Sequence, residues 1–144
     1  MAEIGFYHLT RTDELAALPA LLTRTLAAGE KALVLCGSVE RVAAVDAALW
    51  RVEWLAHGTA KTPHPEWQPV FITAEQANPA AARFLFLLDG VAADFTDFAR
   101  VFDLFDGNDE AAVAAARGRW TLAKAAGHAM SYWKQGEAGW AKAG

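Results

Sequence analysis

The sequence predicts an α/β protein of three layers, with a parallel or mixed central sheet and helices on both of its faces. Two apolar runs, at 31–36 and 83–88, are typical of strands buried on both sides in a parallel sheet. Strand patterns alternate with segments in which apolar residues recur at helical spacing, as in right-handed βαβ units. The 144 residues, 54% of them hydrophobic, suffice for one domain with a sizeable core. We expect that domain over 1–134 and a frayed tail over 135–144.

The first half of the chain contains two strand–helix units. Residues 3–9 form an aromatic and β-branched run that predicts a first strand. Thr12 or Asp13 can cap the helix that follows, in which leucines recur at helical spacing. A second strand at 31–36 precedes a helix from 39 to about 52.

The middle of the chain is irregular and then returns to strands. Residues 54–69 hold three prolines, two histidines and two tryptophans, and long loops of this kind in compact domains are usually functional. Strands are predicted at 70–73 and 83–88.

The last third is predicted to contain two helices and a closing strand. A stripe of four phenylalanines at near-helical spacing predicts a helix that begins at Asp94 or Thr96 and ends at Gly107. An alanine-rich helix follows at 109–126, and 128–133 predicts the final strand.

Charge and composition narrow the function classes. The net charge of −4 argues against a non-specific grip on nucleic acid, which needs a basic face. One cysteine, Cys36, excludes an internal disulfide and fits a reducing compartment. The N-terminus lacks the basic start and apolar run of a signal peptide, and no apolar stretch approaches the length of a membrane span. We therefore expect a cytoplasmic protein.

Motifs for nucleotide, metal or catalytic chemistry are weak. The predicted topology is Rossmann-like, but the sequence has neither GxGxxG nor GxxxxGK[ST], and Gly37-Ser38 is only a two-residue phosphate signal. The loop histidines lack a third ligand at metal spacing. An enzyme with Cys36 as nucleophile and His57 or His64 as base remains an alternative. We expect no cofactor and no metal.

The alanine-rich helix carries one informative stripe, because Arg117, Trp120, Thr121 and Lys124 fall on one side of it. An indole between two cations suits a peptide that has an apolar side chain and a carboxylate. The indole can pack on the side chain, and Arg117 can donate a forked pair of hydrogen bonds to the carboxylate. The alternative is that Trp120 belongs to the core and the cations are a solvated face. The opposite stripe is expected to lie flat on the sheet: Ala111, Ala115, Leu122 and Ala126.

A second aromatic surface is predicted where the 39–52 helix meets the long loop. It consists of Trp50, Trp54 and Leu55, although Trp50 could equally pack in the core. Two aromatic surfaces, in a sequence without a recognisable set of catalytic residues, indicate an adaptor protein that binds other proteins. Direct binding of single-stranded nucleic acid by exposed aromatic residues is a further alternative, disfavoured by the acidic charge.

Several segments resemble one family over residues 6 to about 133. They include FYHL, VERVAAVDAALW, HGT, QPVFIT, FLLDG, DFARVFDLFDGNDEAAVAAARGRW and KAAGHAMSYW. The resemblance is to the chi subunit of bacterial DNA polymerase III. It implies an α/β fold that is similar to nucleotide-binding domains but binds no nucleotide, and a protein that performs no bond chemistry itself.

The resemblance also implies two partners. One is the acidic C-terminal tail of single-stranded DNA-binding protein, which ends in an apolar residue and a free carboxylate. The other is the psi subunit, through which chi joins the clamp loader. Chi would thus tether the clamp loader to coated single-stranded DNA and assist release of the primer from primase.

The resemblance assigns residues to each partner. Arg117 and Trp120 match the arginine and aromatic of the tail-binding motif, and Arg119 and Lys124 are possible supports. Many members carry a lysine where this chain has Thr121. The absence of that lysine would weaken tail binding. For psi, the matching positions are Trp50 and Trp54, next to Leu55.

Overall fold

The structure, a computed structural model, describes residues 2–52, 55–137 and 139–143. Within these ranges the chain forms eight strands and three α-helices. The strands are β1 (Glu3–Leu9), β2 (Ala32–Leu35), β3 (Gly58–Thr59), β4 (Val70–Thr73), β5 (Phe84–Leu87), β6 (Arg100–Asp106), β7 (Ala129–Gly136) and β8 (Gly139–Lys142). The helices are α1 (Glu14–Ala27), α2 (Val39–Leu49) and α3 (Glu110–Ala125).

All eight strands form one sheet in the order β3-β4-β2-β5-β6-β1-β7-β8. Neighbouring strands are parallel except β7 and β8, which pair antiparallel. Apolar residues of α1 and α2 pack against one face of the sheet, and those of α3 pack against the other. The predicted three-layer α/β fold with a mixed sheet is confirmed.

Each α-helix begins after a residue whose side chain accepts a backbone N–H of the first turn. Asp13 accepts from Ala16, Ser38 accepts from Arg41, and Asp109 caps α3 in the same way. The cap of α1 is therefore Asp13 and not Thr12. Among the described residues, no helix is both long enough and apolar enough to cross a membrane.

The helix predicted from Asp94 or Thr96 to Gly107 is wrong, because residues 100–106 form strand β6. This strand lies between β5 and β1 and is buried on both faces. Phe102 packs in the core between the sheet and helices α1 and α2, and Phe105 packs in the core between the sheet and α3. A strand buried on both sides has no reason to alternate, so the spacing of its aromatic residues resembled a helical stripe by coincidence.

The secondary structure of the long loop and of the C-terminal residues also differs from the prediction. Within 54–69 the structure places strand β3 and a short 3-10 helix at Pro65–Trp67. Residues 139–142, expected in a frayed tail, form β8, which pairs with β7. The sequence GWAK has little strand propensity. The strand is stabilised instead by its tertiary contacts, including the ring of Trp140, which meets Tyr7 edge-on at 5.0 Å.

Candidate functional site

Helix α3 contacts the sheet with a different face from the one predicted. Ala116 and Ala123 are its buried residues, and Trp120 lies between them, half-buried. Leu122, expected on the sheet, is 74% exposed. The other members of the predicted sheet-facing stripe are exposed as well: Ala111, Ala115 and Ala126. The small residues let the helix approach closely, and the indole fills the wider space between them, so burying Trp120 instead of Leu122 covers more apolar surface.

Trp120 is both a packing residue and the wall of a pocket. Its ring meets Phe6 edge-on with 5.4 Å between centroids and lies 6.0 Å from the ring of Tyr132. Beside it is a pocket of about 410 Å³, which we call the α3 pocket. Its lining is mostly apolar: Phe6, Phe105, Val113, Ala116, Arg117, Trp120, Thr121 and Tyr132. Trp120 thus packs against core residues, and its ring also lines a pocket, so the core interpretation does not exclude the binding interpretation.

The polar stripe of α3 borders this pocket. Arg117 lines it and is exposed, and within the described ranges no carboxylate lies within 4 Å of its guanidinium. Thr121 also lines it, but its hydroxyl donates to the Arg117 carbonyl oxygen at 3.0 Å. Lys124 is exposed one turn further on and is not part of the lining. The pocket therefore combines apolar walls with one guanidinium free to receive an anion.

Tyr132 is a lining residue that the sequence did not reveal. It lies opposite Phe6 in the β1–β7 register, and its hydroxyl is hydrogen-bonded to Nδ1 of His8. Burial lowers the pKa of His8, and the charges of Lys134 and Arg117 lower it further. Burial also raises the pKa of Tyr132. Both groups are therefore neutral at pH 7, and the pocket's positive charge comes from Arg117. Only strand pairing brings Tyr132 to α3, so no local pattern could have identified it.

Arg119 lies outside the α3 pocket. Its Nε and Nη2 donate to the two carboxylate oxygens of Asp103 at 2.7 and 3.0 Å. The Asp103 side chain is only 3% exposed. Burial raises the pKa of Asp103, while the guanidinium opposes that shift. Arg119 therefore anchors α3 to β6 and is not part of the pocket's lining.

The second predicted surface is only partly described. Trp50 ends α2 with 73% exposure, and its ring meets that of His57 edge-on at 4.8 Å. His57 is fixed by Oδ1 of Asp46 at 2.9 Å and by the carbonyl oxygen of Leu55 at 3.0 Å. Leu55 itself is buried in the core. Trp54 lies outside the described residues.

The geometry does not favour the enzyme alternative. Cys36 is 1% exposed, and burial, with a contribution from Asp89, raises the pKa of its thiol to about 12. Both ring nitrogens of His57 are already paired, and the exposed His64 stacks on Trp67 at 3.9 Å. Among the described residues, no three histidine, cysteine or acidic side chains gather as a metal site would require.

The usual phosphate position of this topology, at the N-terminus of α2, is occupied by the protein itself. The Asp89 carboxylate accepts from the backbone N–H of Gly37 at 3.0 Å and from Nε of Arg41 at 2.9 Å. A bound phosphate would need these same donors. The Gly37-Ser38 turn therefore satisfies an internal carboxylate.

Comparison with known proteins identifies the family of the chain. The family model described as DNA polymerase III chi subunit, HolC, matches residues 1–131. A protein of Rickettsia prowazekii (strain Madrid E), named probable DNA polymerase III subunit chi, is 26% identical over 107 residues. The match covers 72% of this chain and 62% of that relative, so the chain spans less than two thirds of the relative's length. Because the family model matches most of the chain, the chain belongs to the DNA polymerase III chi subunit family.

Proposed function

We propose that the chain is a non-catalytic subunit of DNA polymerase III in DNA replication, working in the cytoplasm as a tether. In this proposal the α3 pocket binds the acidic C-terminal tail of single-stranded DNA-binding protein, and the surface around Trp50 binds the psi subunit. The clamp loader is thereby held to coated single-stranded DNA. The observation that carries the proposal is the α3 pocket, which has aromatic walls and the guanidinium of Arg117 in its lining, with no carboxylate within 4 Å of that guanidinium among the described residues.

The chemistry of such a tail matches the pocket. A terminal apolar ring would lie against Trp120 and Tyr132, and burying it contributes about 1.5–3 kcal/mol. The terminal carboxylate would accept a forked pair of hydrogen bonds from Arg117, and hydrogen bonds to charged groups contribute about 1.5–3 kcal/mol. Acidic residues further back in the tail would pass the exposed Lys124.

Thr121 is the position where this chain departs from many family members. Its hydroxyl is already engaged with the helix backbone. It therefore adds neither a cation nor a free donor to the pocket, and Thr121→Lys should strengthen tail binding several-fold at low salt.

The psi proposal rests on Trp50. A tryptophan with 73% exposure, oriented by a histidine whose two nitrogens are both bonded, is a pre-organised aromatic anchor. Leu55 would contribute by fixing His57 through its carbonyl oxygen and not by contact. Trp50→Ala should abolish co-purification with a psi subunit, while Trp67→Ala, which removes another exposed tryptophan, should preserve it.

The tail proposal is tested by titrating an Asp-rich peptide that ends in Pro-Phe with a free carboxylate, followed by calorimetry. Arg117→Ala and amidation of the peptide should each weaken binding at least about tenfold. Trp120→Tyr should retain binding, because a phenol also offers an apolar face. Arg51→Ala, which removes an exposed arginine at the end of α2, is the matched control. Binding that is indifferent to Arg117 and to the free carboxylate would contradict the proposal.

A further inference from the structure

Arg117 and Tyr132 bring two polar groups into the mostly apolar lining of the α3 pocket. Burial raises the pKa of Tyr132, and the charge of Arg117 opposes that shift, so the guanidinium lies near enough to the phenol to act on it. Among the described residues, no carboxylate lies within 4 Å of the guanidinium. An anion in this pocket would therefore meet a guanidinium and a phenol together.

The hydroxyl of Tyr132 is held by His8, which is not itself part of the pocket's lining. Nδ1 of His8 is hydrogen-bonded to that hydroxyl. Phe6 lies opposite Tyr132 in the β1–β7 register, and His8, two residues further along β1, faces the same side of the sheet. The imidazole also packs on Phe105, with 5.1 Å between ring centroids. Strand pairing and packing thus fix the position of the phenol and of the group behind it.

The space that His8 occupies depends on Gly107, in the turn between β6 and α3. A methyl group at this position would overlap the imidazole ring and would lie 2.6 Å from the Leu9 carbonyl oxygen. The N–H of Gly107 donates to that same oxygen at 2.6 Å, which holds the turn against the end of β1. The turn therefore passes directly beside the imidazole, and this close packing keeps His8 next to Tyr132.

The hydrogen-bonding capacity of the His8–Tyr132 pair suits a carboxylate ligand. A phenol has one hydrogen to donate and an oxygen that can also accept, whereas an ionised carboxylate only accepts. If Tyr132 donates its hydrogen to a carboxylate, its oxygen can accept from Nδ1–H of His8. The hydrogen bond between the two residues then persists, with His8 as the donor. The ligand gains a donor without the loss of a contact inside the protein.

We propose that Tyr132 is a second donor to the terminal carboxylate of a peptide in the α3 pocket, beside Arg117, and that His8 is the positioning residue behind it. This inference rests on the proposed binding of a tail that ends in a free carboxylate. An exposed guanidinium alone attracts any nearby anion, but a guanidinium and a fixed phenol together select a carboxylate at one place in the pocket. The apolar side chain next to that carboxylate would then lie against Trp120.

The same pair makes binding depend on pH. In the free protein, burial lowers the pKa of His8, and the charges of Lys134 and Arg117 lower it further. The backbone of Gly107 and the charge of Asp106 oppose this shift. A bound carboxylate adds a negative charge near the imidazole and so raises the pKa of His8 in the complex. Binding therefore takes up a proton, and affinity rises as pH falls from the pKa of the complex to that of the free protein.

The test titrates the full chain by calorimetry with the Asp-rich peptide that ends in Pro-Phe, as the free acid and as the C-terminal amide. Tyr132→Phe keeps the ring and removes the hydroxyl. It should weaken binding of the free acid about five- to tenfold and leave binding of the amide unchanged. Tyr7→Phe, at the chain's other tyrosine on the opposite face of the sheet, is the matched control and should change neither affinity. Circular dichroism melts establish that each variant is folded.

The pH profile tests His8. The wild type should bind the free acid at least about threefold more tightly at pH 5.5 than at pH 8, and His8→Gln, which keeps a donor but cannot titrate, should bind equally at both. The inference is overturned if Tyr132→Phe weakens both peptide forms equally, or if the wild type binds equally at both pH values. Binding that needs Arg117 and the free carboxylate but ignores Tyr132→Phe and His8→Gln would overturn this inference and leave the tail proposal standing. No binding of the free acid by the wild type would overturn both.

Discussion

Replacing Arg119 with alanine should strongly destabilise the protein, because it leaves the Asp103 carboxylate without its partner. That side chain is 3% exposed, and both of its oxygens accept from Arg119. Removing one member of a buried pair costs about 3–5 kcal/mol, since the remaining charge can neither reach water nor find another cation. Arg117→Ala, two residues earlier on the same helix but exposed, should change the unfolding free energy by less than about 0.5 kcal/mol.

The pH dependence of Arg119→Ala identifies the cause. Burial already raises the pKa of Asp103 above its ordinary value, and loss of the guanidinium raises it further. The folded variant then binds a proton at pH values where the unfolded chain has lost it. Its stability relative to the wild type must therefore fall as pH rises through that window and recover towards acid pH. Urea unfolding from pH 4 to pH 8 measures this. A loss below about 1 kcal/mol that does not vary with pH would refute the reasoning.

Three further predictions concern Glu14, Cys36 and Gly107. Burial raises the pKa of Glu14 to about 7 from an ordinary 4.5, so the wild type should lose stability as pH rises between these values. The free energy of unfolding should therefore fall by up to about 3 kcal/mol between pH 5 and pH 8, and Glu14→Gln should remove this pH dependence. Urea unfolding at the two pH values measures it. Cys36, buried with its pKa raised to about 12, should resist a thiol reagent until the chain is unfolded, and fast labelling of the native protein would contradict its burial. At Gly107 a methyl group would meet the His8 ring and lie 2.6 Å from the Leu9 carbonyl oxygen. Gly107→Ala should therefore cost about 1–3 kcal/mol in unfolding free energy, and an unchanged urea midpoint would show that the backbone relaxes there.

The elements predicted correctly are those whose patterns are local. The β1 run, the Asp13 cap and the apolar run of β2 each determine their own structure, so their bounds follow from sequence to within a residue or two. Strand β6 was missed because its environment is set by its neighbours β5 and β1, which no window of its own sequence contains.

The candidate site shows the same division. The spacing of Arg117 and Trp120 on one side of α3 is a local property and was predicted. Which side of α3 meets the sheet depends on Phe6 and on the space beside it, so the sequence placed Leu122 where Trp120 belongs. Tyr132 reaches the pocket only through the pairing of β1 with β7. Long-range pairing is the information that the sequence pattern lacks.

The Asp89 carboxylate at the N-terminus of α2 explains why the candidate binding site lies beside α3, on a face of the sheet, and not at the ends of the strands. An open α/β sheet usually binds ligands at the carboxyl ends of its strands, where helix N-termini offer free N–H groups. Here Asp89 takes the Gly37 N–H and pairs with Arg41, and Arg41 also contacts Glu14 at 3.1 Å. Donors saturated in this way cannot hold a phosphate. Arg117, by contrast, has no carboxylate within 4 Å among the described residues, and it lies beside the aromatic lining of the α3 pocket. A cation next to an apolar ring selects an anion with an apolar group attached, and a peptide that ends in an apolar residue with a free carboxylate has that form.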